Sequence, residues 1–206
     1  MTRFFIVLLI ACIGLHAHAD EKILSFHSDI QVAADGSMQV SETITVNAEG
    51  DRIQRGIYRD FPTDYRDRYG NRVKVAFEPQ EVSRDGRPEP WHSERLSNGT
   101  RVYFGSADVY LDSGEHTYVF RYRTTRQLGF FEDHDELYWN VTGNGWEFTI
   151  DQASASISLP ATVPPEQIKL EAYTGLQGGK GRNYESKLDS DGRGQFVTTR
   201  ALGPAQ

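Results

Sequence analysis

The chain has 206 residues, 12% of them aromatic, a formal net charge of −7 and a single cysteine. An acidic balance with no basic stripe argues against a nucleic-acid partner and against broad attraction to anionic lipid headgroups. The only cysteine, Cys12, falls inside a leader over residues 1–19, so in the mature chain cysteine nucleophiles, thiolate zinc sites, iron–sulfur clusters and disulfides are excluded, and the fold must rest on an apolar core.

Residues 1–19 read as a secretory signal peptide. Arg3 supplies a charge, Phe4 to Leu15 an apolar run, and Ala17-His18-Ala19 a small-x-small cleavage site before Asp20-Glu21. The run is too short for a membrane span, which takes roughly 20 apolar residues. Cleavage after Ala19 leaves a domain over 20–206 with 21 basic against 29 acidic residues, exported to the periplasm or the outer face of the cytoplasmic membrane. Leu9-Ile10-Ala11-Cys12 offers a rival reading as a lipobox, in which Cys12 is lipidated; here the apolar run continues past it through Leu15.

Beyond the leader, short apolar/polar alternations are broken by turn residues. Leu24, Phe26, Ile30 and Val32 share one face of a first strand, and Val40, Ile44 and Val46 one face of the next, with Asp35-Gly36 as the hairpin turn. Asp85-Gly86 separates strands over 78–83 and 89–95, and Asn98-Gly99 is a turn before 100–104. Tyr118, Phe120 and Tyr122 alternate with Val119 and Arg121, and Ala155, Ile157 and Leu159 follow the same rule. Late strands are expected over 168–173 and 195–199. No segment carries a 3.6-residue apolar period. The pattern predicts an all-β, antiparallel sandwich of immunoglobulin-like or related topology. The prolines at 160, 164 and 165 mark either a domain boundary or a crossover between two sheets; one domain is expected, since the forty or so residues after them are too few for a second core.

Counting by twos puts Glu42 on the apolar face of Val40, Ile44 and Val46. A carboxylate there needs a partner. The predicted partner is the forked guanidinium of Arg59, with Arg55 as second choice, and the pair is expected to be structural. Glu132-Asp133-His134-Asp135-Glu136 is an acidic turn. Asp133, His134 and Asp135 are its candidate metal ligands, but the spacing matches no defined calcium loop and no second histidine is near, so an exposed turn without metal is expected. The 63–71 segment interleaves Tyr65 and Tyr69 with charges of both signs, as contact surfaces do. Trp139 and Trp146 bracket a Gly/Asn-rich bend and form either a core cluster or an aromatic platform for sugar or peptide. No nucleophile elbow, metalloprotease helix or phosphate loop occurs, and no cofactor is implied.

Four stretches together are specific: Asp35-Gly36-Ser37 with Val40-Ser41-Glu42-Thr43; Arg55-Gly56-Ile57-Tyr58-Arg59-Asp60-Phe61-Pro62; Tyr118-Val119-Phe120-Arg121-Tyr122; and Glu136 to Trp146. In them the chain resembles domain-of-unknown-function family 2207 of predicted bacterial membrane proteins, over nearly its whole length after the leader. The resemblance implies an exported β-rich domain tethered by transmembrane segments absent from this sequence, of which this chain is then a trimmed piece. It implies no reaction. The expected function is therefore a non-catalytic binding or sensing module for a protein, a peptide or a cell-envelope glycan. The alternatives are an envelope glycan hydrolase using paired carboxylates, and a structural subunit of a membrane complex.

Overall fold

The computed structural model describes residues 20–66, 70–161 and 163–206. The leader, Cys12 and Tyr69 lie outside the described residues. Fifteen strands follow one another: β1 (Lys22–Val32), β2 (Met38–Ala48), β3 (Gly56–Phe61), β4 (Asp64–Arg66), β5 (Arg72–Lys74), β6 (Phe77–Arg84), β7 (Arg87–Pro88), β8 (Trp91–Leu96), β9 (Gly99–Gly105), β10 (Gly114–Thr124), β11 (Leu128–Phe130), β12 (Asp135–Leu137), β13 (Ile150–Ser158), β14 (Tyr184–Leu188) and β15 (Gly194–Thr198). The helical content of the described residues is one 3-10 turn at Pro165–Gln167. None of their helices is long and apolar enough to cross a membrane.

The fold is all-β and sandwich-like. One layer is an eight-stranded sheet in the order β14-β15-β13-β1-β2-β10-β6-β7; the other is a three-stranded sheet, β3-β9-β8. Pairing is antiparallel except between β1 and β13, which run parallel. Alternation explains the layering. β2 buries every second residue from Met38 to Ala48, and β10 buries Tyr118, Phe120 and Tyr122 beside them. Against this face β3 turns Ile57, Arg59 and Phe61, and β9 turns Val102 and Phe104. Phe61 stacks on Phe77 at 4.1 Å and meets Tyr122 edge-on at 5.5 Å, while Phe104 sits 4.9 Å from Phe120.

Three details depart from the sequence reading. On β1 the buried residue is Ile23, and Leu24 is only half-buried, because the pairing with β2 slips by one residue between Ile23 and Ser25. Such a bulge switches the face of everything before it. Residues 168–173 alternate in burial but pair with no strand; Leu170 packs on Gly194 of β15, so the contact runs through side chains. At the β8–β9 hairpin the turn is Ser97-Asn98, and Gly99 already belongs to β9. Gly99 (φ +121°) is needed there because a Cβ would overlap the Phe61 carbonyl of β3.

Candidate functional site

The buried face of the sandwich holds one charged group from each layer. Glu42 is fully buried and Arg59 is 5% exposed. Arg59 Nε donates to Glu42 Oε2 at 2.9 Å and Nη2 donates to Oε1 at 3.0 Å, a bidentate pair. Tyr122 on β10 donates its hydroxyl to Glu42 Oε1 at 2.7 Å. Nη1 donates to the Asp60 carbonyl at 3.3 Å, and Nη2 also donates to the Val141 carbonyl at 3.2 Å. Burial pulls the Arg59 guanidinium down, but the adjoining Glu42 charge and hydrogen bonds push it above the usual arginine value. Burial, reinforced by the same carboxylate, raises the Tyr122 hydroxyl well above the tyrosine range, so it remains a donor. The cluster joins β2, β3, β10 and the 138–149 segment and is closed to solvent.

Arg55 takes no part. Gly56 (φ +137°) turns the chain at the start of β3, and the Arg55 guanidinium lies over the exposed Tyr110 ring at 4.4 Å. The 138–149 segment is built around Arg59. Gly143 (φ +75°) lies against Nη1, where a Cβ would overlap it. Trp146 is 7% exposed, donates Nε1 to the Thr142 carbonyl at 2.8 Å and meets Phe26 edge-on at 6.3 Å. Trp139 is half-buried, 5.9 Å from Phe61. Trp146 belongs to the core, and Trp139 packs against it with part of its surface open. Tyr138 beside them is 74% exposed.

Tyr65 is 41% exposed and its hydroxyl donates to the Pro62 carbonyl at 3.0 Å. Asp133, His134 and Asp135 occupy the turn and start of the β11–β12 hairpin. There His134 Nδ1 is 2.8 Å from Asp133 Oδ1 and the ring stacks on Phe131 at 4.8 Å. Among the described residues no group of three or more His, Cys, Asp or Glu is placed to hold a metal ion.

The outer face of the three-stranded sheet carries a set that sequence reading missed. Cross-strand register aligns His92, Tyr103 and Tyr58 in one row and Glu94, Arg101 and Asp60 in the next. His92 stacks on Tyr103 at 4.7 Å with 12° between the planes, and Tyr58 lies 5.9 Å from Tyr103. Arg101 donates Nε and Nη2 to Asp60 at 2.6 and 2.7 Å and covers the Tyr58 ring at 3.9 Å. Hydrogen bonding to Asp60 first, and proximity to Tyr103 and Tyr58, raises Arg101 above the arginine range. These six side chains are half-buried or exposed, and the rigid sheet fixes their positions. At the Tyr58 end a cavity of about 100 Å³ opens between Ile57, Trp146, Phe148 and the Arg52–Glu147 ion pair. A second cavity, about 260 Å³, lies between Leu159, Val163 and Arg193. Glu147 is the one carboxylate lining the first and Asp191 the one lining the second.

Comparison with known proteins follows the fold. The uncharacterized protein YciQ of Escherichia coli is 29% identical over 174 residues, covering 84% of this chain and 27% of its own length. The chain thus spans about a quarter of that relative. Native leukotriene A4 hydrolase from Saccharomyces cerevisiae superposes with a TM-score of 0.52 at 16% identity, over 90% of this chain and 28% of that one. Its bestatin complex gives 0.50 at 13%, over 90% and 27%. At that identity the likeness is one of fold alone. A family model described as "Predicted membrane protein (DUF2207) N-terminal domain" matches residues 22–203. Matched over nearly the whole described chain, this protein belongs to that family of predicted membrane-protein N-terminal domains.

Proposed function

We propose that this domain is a non-catalytic binding module, presented outside the cytoplasm by a membrane-tethered protein, and that its contact face is the outer surface of β3, β9 and β8. The observation that carries the reading is the row of Tyr58, Tyr103 and His92 beside Arg101, Asp60 and Glu94. Tyrosine and arginine on a rigid scaffold supply large contact area, directional hydrogen bonds and little entropy loss. The partner is a protein, a peptide or an envelope glycan; each offers flat apolar surface interspersed with polar groups. A hydrolase reading finds less support, because neither cavity brings two carboxylates together.

The test places a photo-crosslinking side chain at His92 in cells, with Thr43 on the opposite layer as control, and measures co-sedimentation of the purified chain with isolated peptidoglycan sacculi. An adduct at His92 to a molecule other than this chain and absent at Thr43, or sedimentation reduced at least tenfold by Tyr103→Ala, supports the module. Adducts equal at both positions together with no sacculus binding overturn it, as does release of soluble sugar from sacculi.

A further inference from the structure

The three-stranded sheet ends on β8, and no strand of the described residues pairs with its outer edge. Residues 91–95 are all exposed. Register with β9 determines which backbone groups face out. The Pro90 carbonyl accepts the Gly105 N–H at 2.8 Å, so ladder bonds to β9 fall at every second residue from 90: at 92, 94 and 96. The N–H and C=O of Trp91, Ser93 and Arg95 therefore point outward, away from β9, on the side where no strand of the described residues pairs. Proteins blunt such an edge with prolines, bulges, very short strands or charged side chains. β7, the edge of the large sheet, is two residues long and contains Pro88. β8 has six residues, no proline and no bulge; its charges, Glu94 and Arg95, are single and of opposite sign, so they set a register and do not simply repel a second strand.

We propose that β8 pairs antiparallel with β8 of a second copy of this chain, with Ser93 on the two-fold axis. Three registers match the outward groups at 91, 93 and 95. Centring on Glu94 sets two carboxylates directly opposite, which repel. Centring on His92 opposes two imidazoles and pairs no opposite charges within β8; Glu89, which it would set opposite Arg95, is already paired with Arg84. Centring on Ser93 sets each His92 opposite Glu94 of the partner subunit and each Trp91 opposite Arg95 of the partner subunit. Symmetry makes both pairings twice, one between an imidazole and a carboxylate that can accept its N–H and one between a guanidinium and an indole. The product is a continuous six-stranded sheet, β3-β9-β8-β8-β9-β3. On its outer face the Tyr58–Tyr103–His92 row of one copy runs into the Glu94–Arg101–Asp60 row of the other. A strand-to-strand contact of this length buries less than the roughly 800 Å² per partner of a permanent interface, so the dimer is reversible. The inference is independent of what the outer face binds.

Two measurements decide it. In a Cys12→Ser background, Ser93→Cys places two thiols in a hydrogen-bonded antiparallel pair, with Cα atoms about 5.5 Å apart and within disulfide reach. Mild oxidation is expected to give a covalent dimer at Ser93→Cys and none at Thr43→Cys. Sedimentation equilibrium of the purified chain is expected to show a monomer–dimer equilibrium that Ser93→Pro weakens at least tenfold and Ser93→Thr leaves intact. Proline at 93 removes an outward N–H and no bond to β9, so the fold survives, with circular dichroism as the check. A chain that stays monomeric at the highest soluble concentration, equal cross-linking at 43 and 93, or a dimer indifferent to Ser93→Pro overturns the proposal.

Discussion

Replacing Glu42 by glutamine is the sharpest test of how the two layers are held. The substitution keeps the shape and removes the charge. It leaves the Arg59 guanidinium 5% exposed with no anion, and it turns an amide NH₂ toward donors at Nε, Nη2 or the Tyr122 hydroxyl. Breaking a buried pair by removing one partner costs about 3–5 kcal/mol. For a domain of this size each kcal/mol lowers the melting temperature by about 2–4 °C, so the midpoint should fall by roughly 6–20 °C. Urea unfolding followed by circular dichroism measures it, with the slope as a check that the native state is unchanged. The triple variant Glu42→Leu, Arg59→Met, Tyr122→Phe removes every polar side chain of the cluster. It should recover most of the loss, to within about 2 kcal/mol of the parent, because no uncompensated charge remains buried. It leaves the Val141 carbonyl without its Arg59 donor, which keeps it from being fully neutral. A Glu42→Gln protein within about 1 kcal/mol of the parent, or a triple variant as unstable as the single, would refute the reasoning.

Other consequences follow from neighbouring geometry. Arg55→Ala, in contrast to Arg59→Ala, should change stability by less than about 1 kcal/mol in the same unfolding assay, since its contact with Tyr110 is exposed. Gly143→Ala should cost about 2–4 kcal/mol, because the residue sits at φ +75° and the new methyl displaces Arg59 Nη1; differential scanning calorimetry would read it. Glu21 gathers the backbone N–H groups of Glu49, Asp51, Arg52 and Ile53, which outweigh its partial desolvation and hold its carboxyl below the usual 4.5. A folded-state value below the unfolded one stabilises fully above pH 4.5 and is lost as pH falls through the folded value. Glu21→Gln should therefore flatten the acid limb of the stability–pH profile relative to the parent; two superimposable acid limbs would count against the role. Asp189, drawn down to about 2 chiefly by the Arg193 backbone N–H, adds a loss between about pH 4 and 2 that survives in the Glu21→Gln variant.

Alternation by itself determined that this is a β protein, located most of the apolar faces, and put a carboxylate among Val40, Ile44 and Val46, where a cation had to answer it. Arg55 and Arg59 share parity, so counting could not choose between them; the turn at Gly56 did. The same alternation that buries Ile57, Phe61, Val102 and Phe104 also displays Tyr58, Asp60, Arg101 and Tyr103 on the opposite side. That half of the signal was legible strand by strand, but not that β3 and β9, some forty residues apart, lie side by side. Likewise no local pattern joins β1 to β13, or Glu21 to the backbone of residues 49–53. Side-chain periodicity is a property of a few consecutive residues, so it survives in the sequence. Which strands become neighbours depends on burying all their apolar faces at once, and that choice is made only when the whole chain packs.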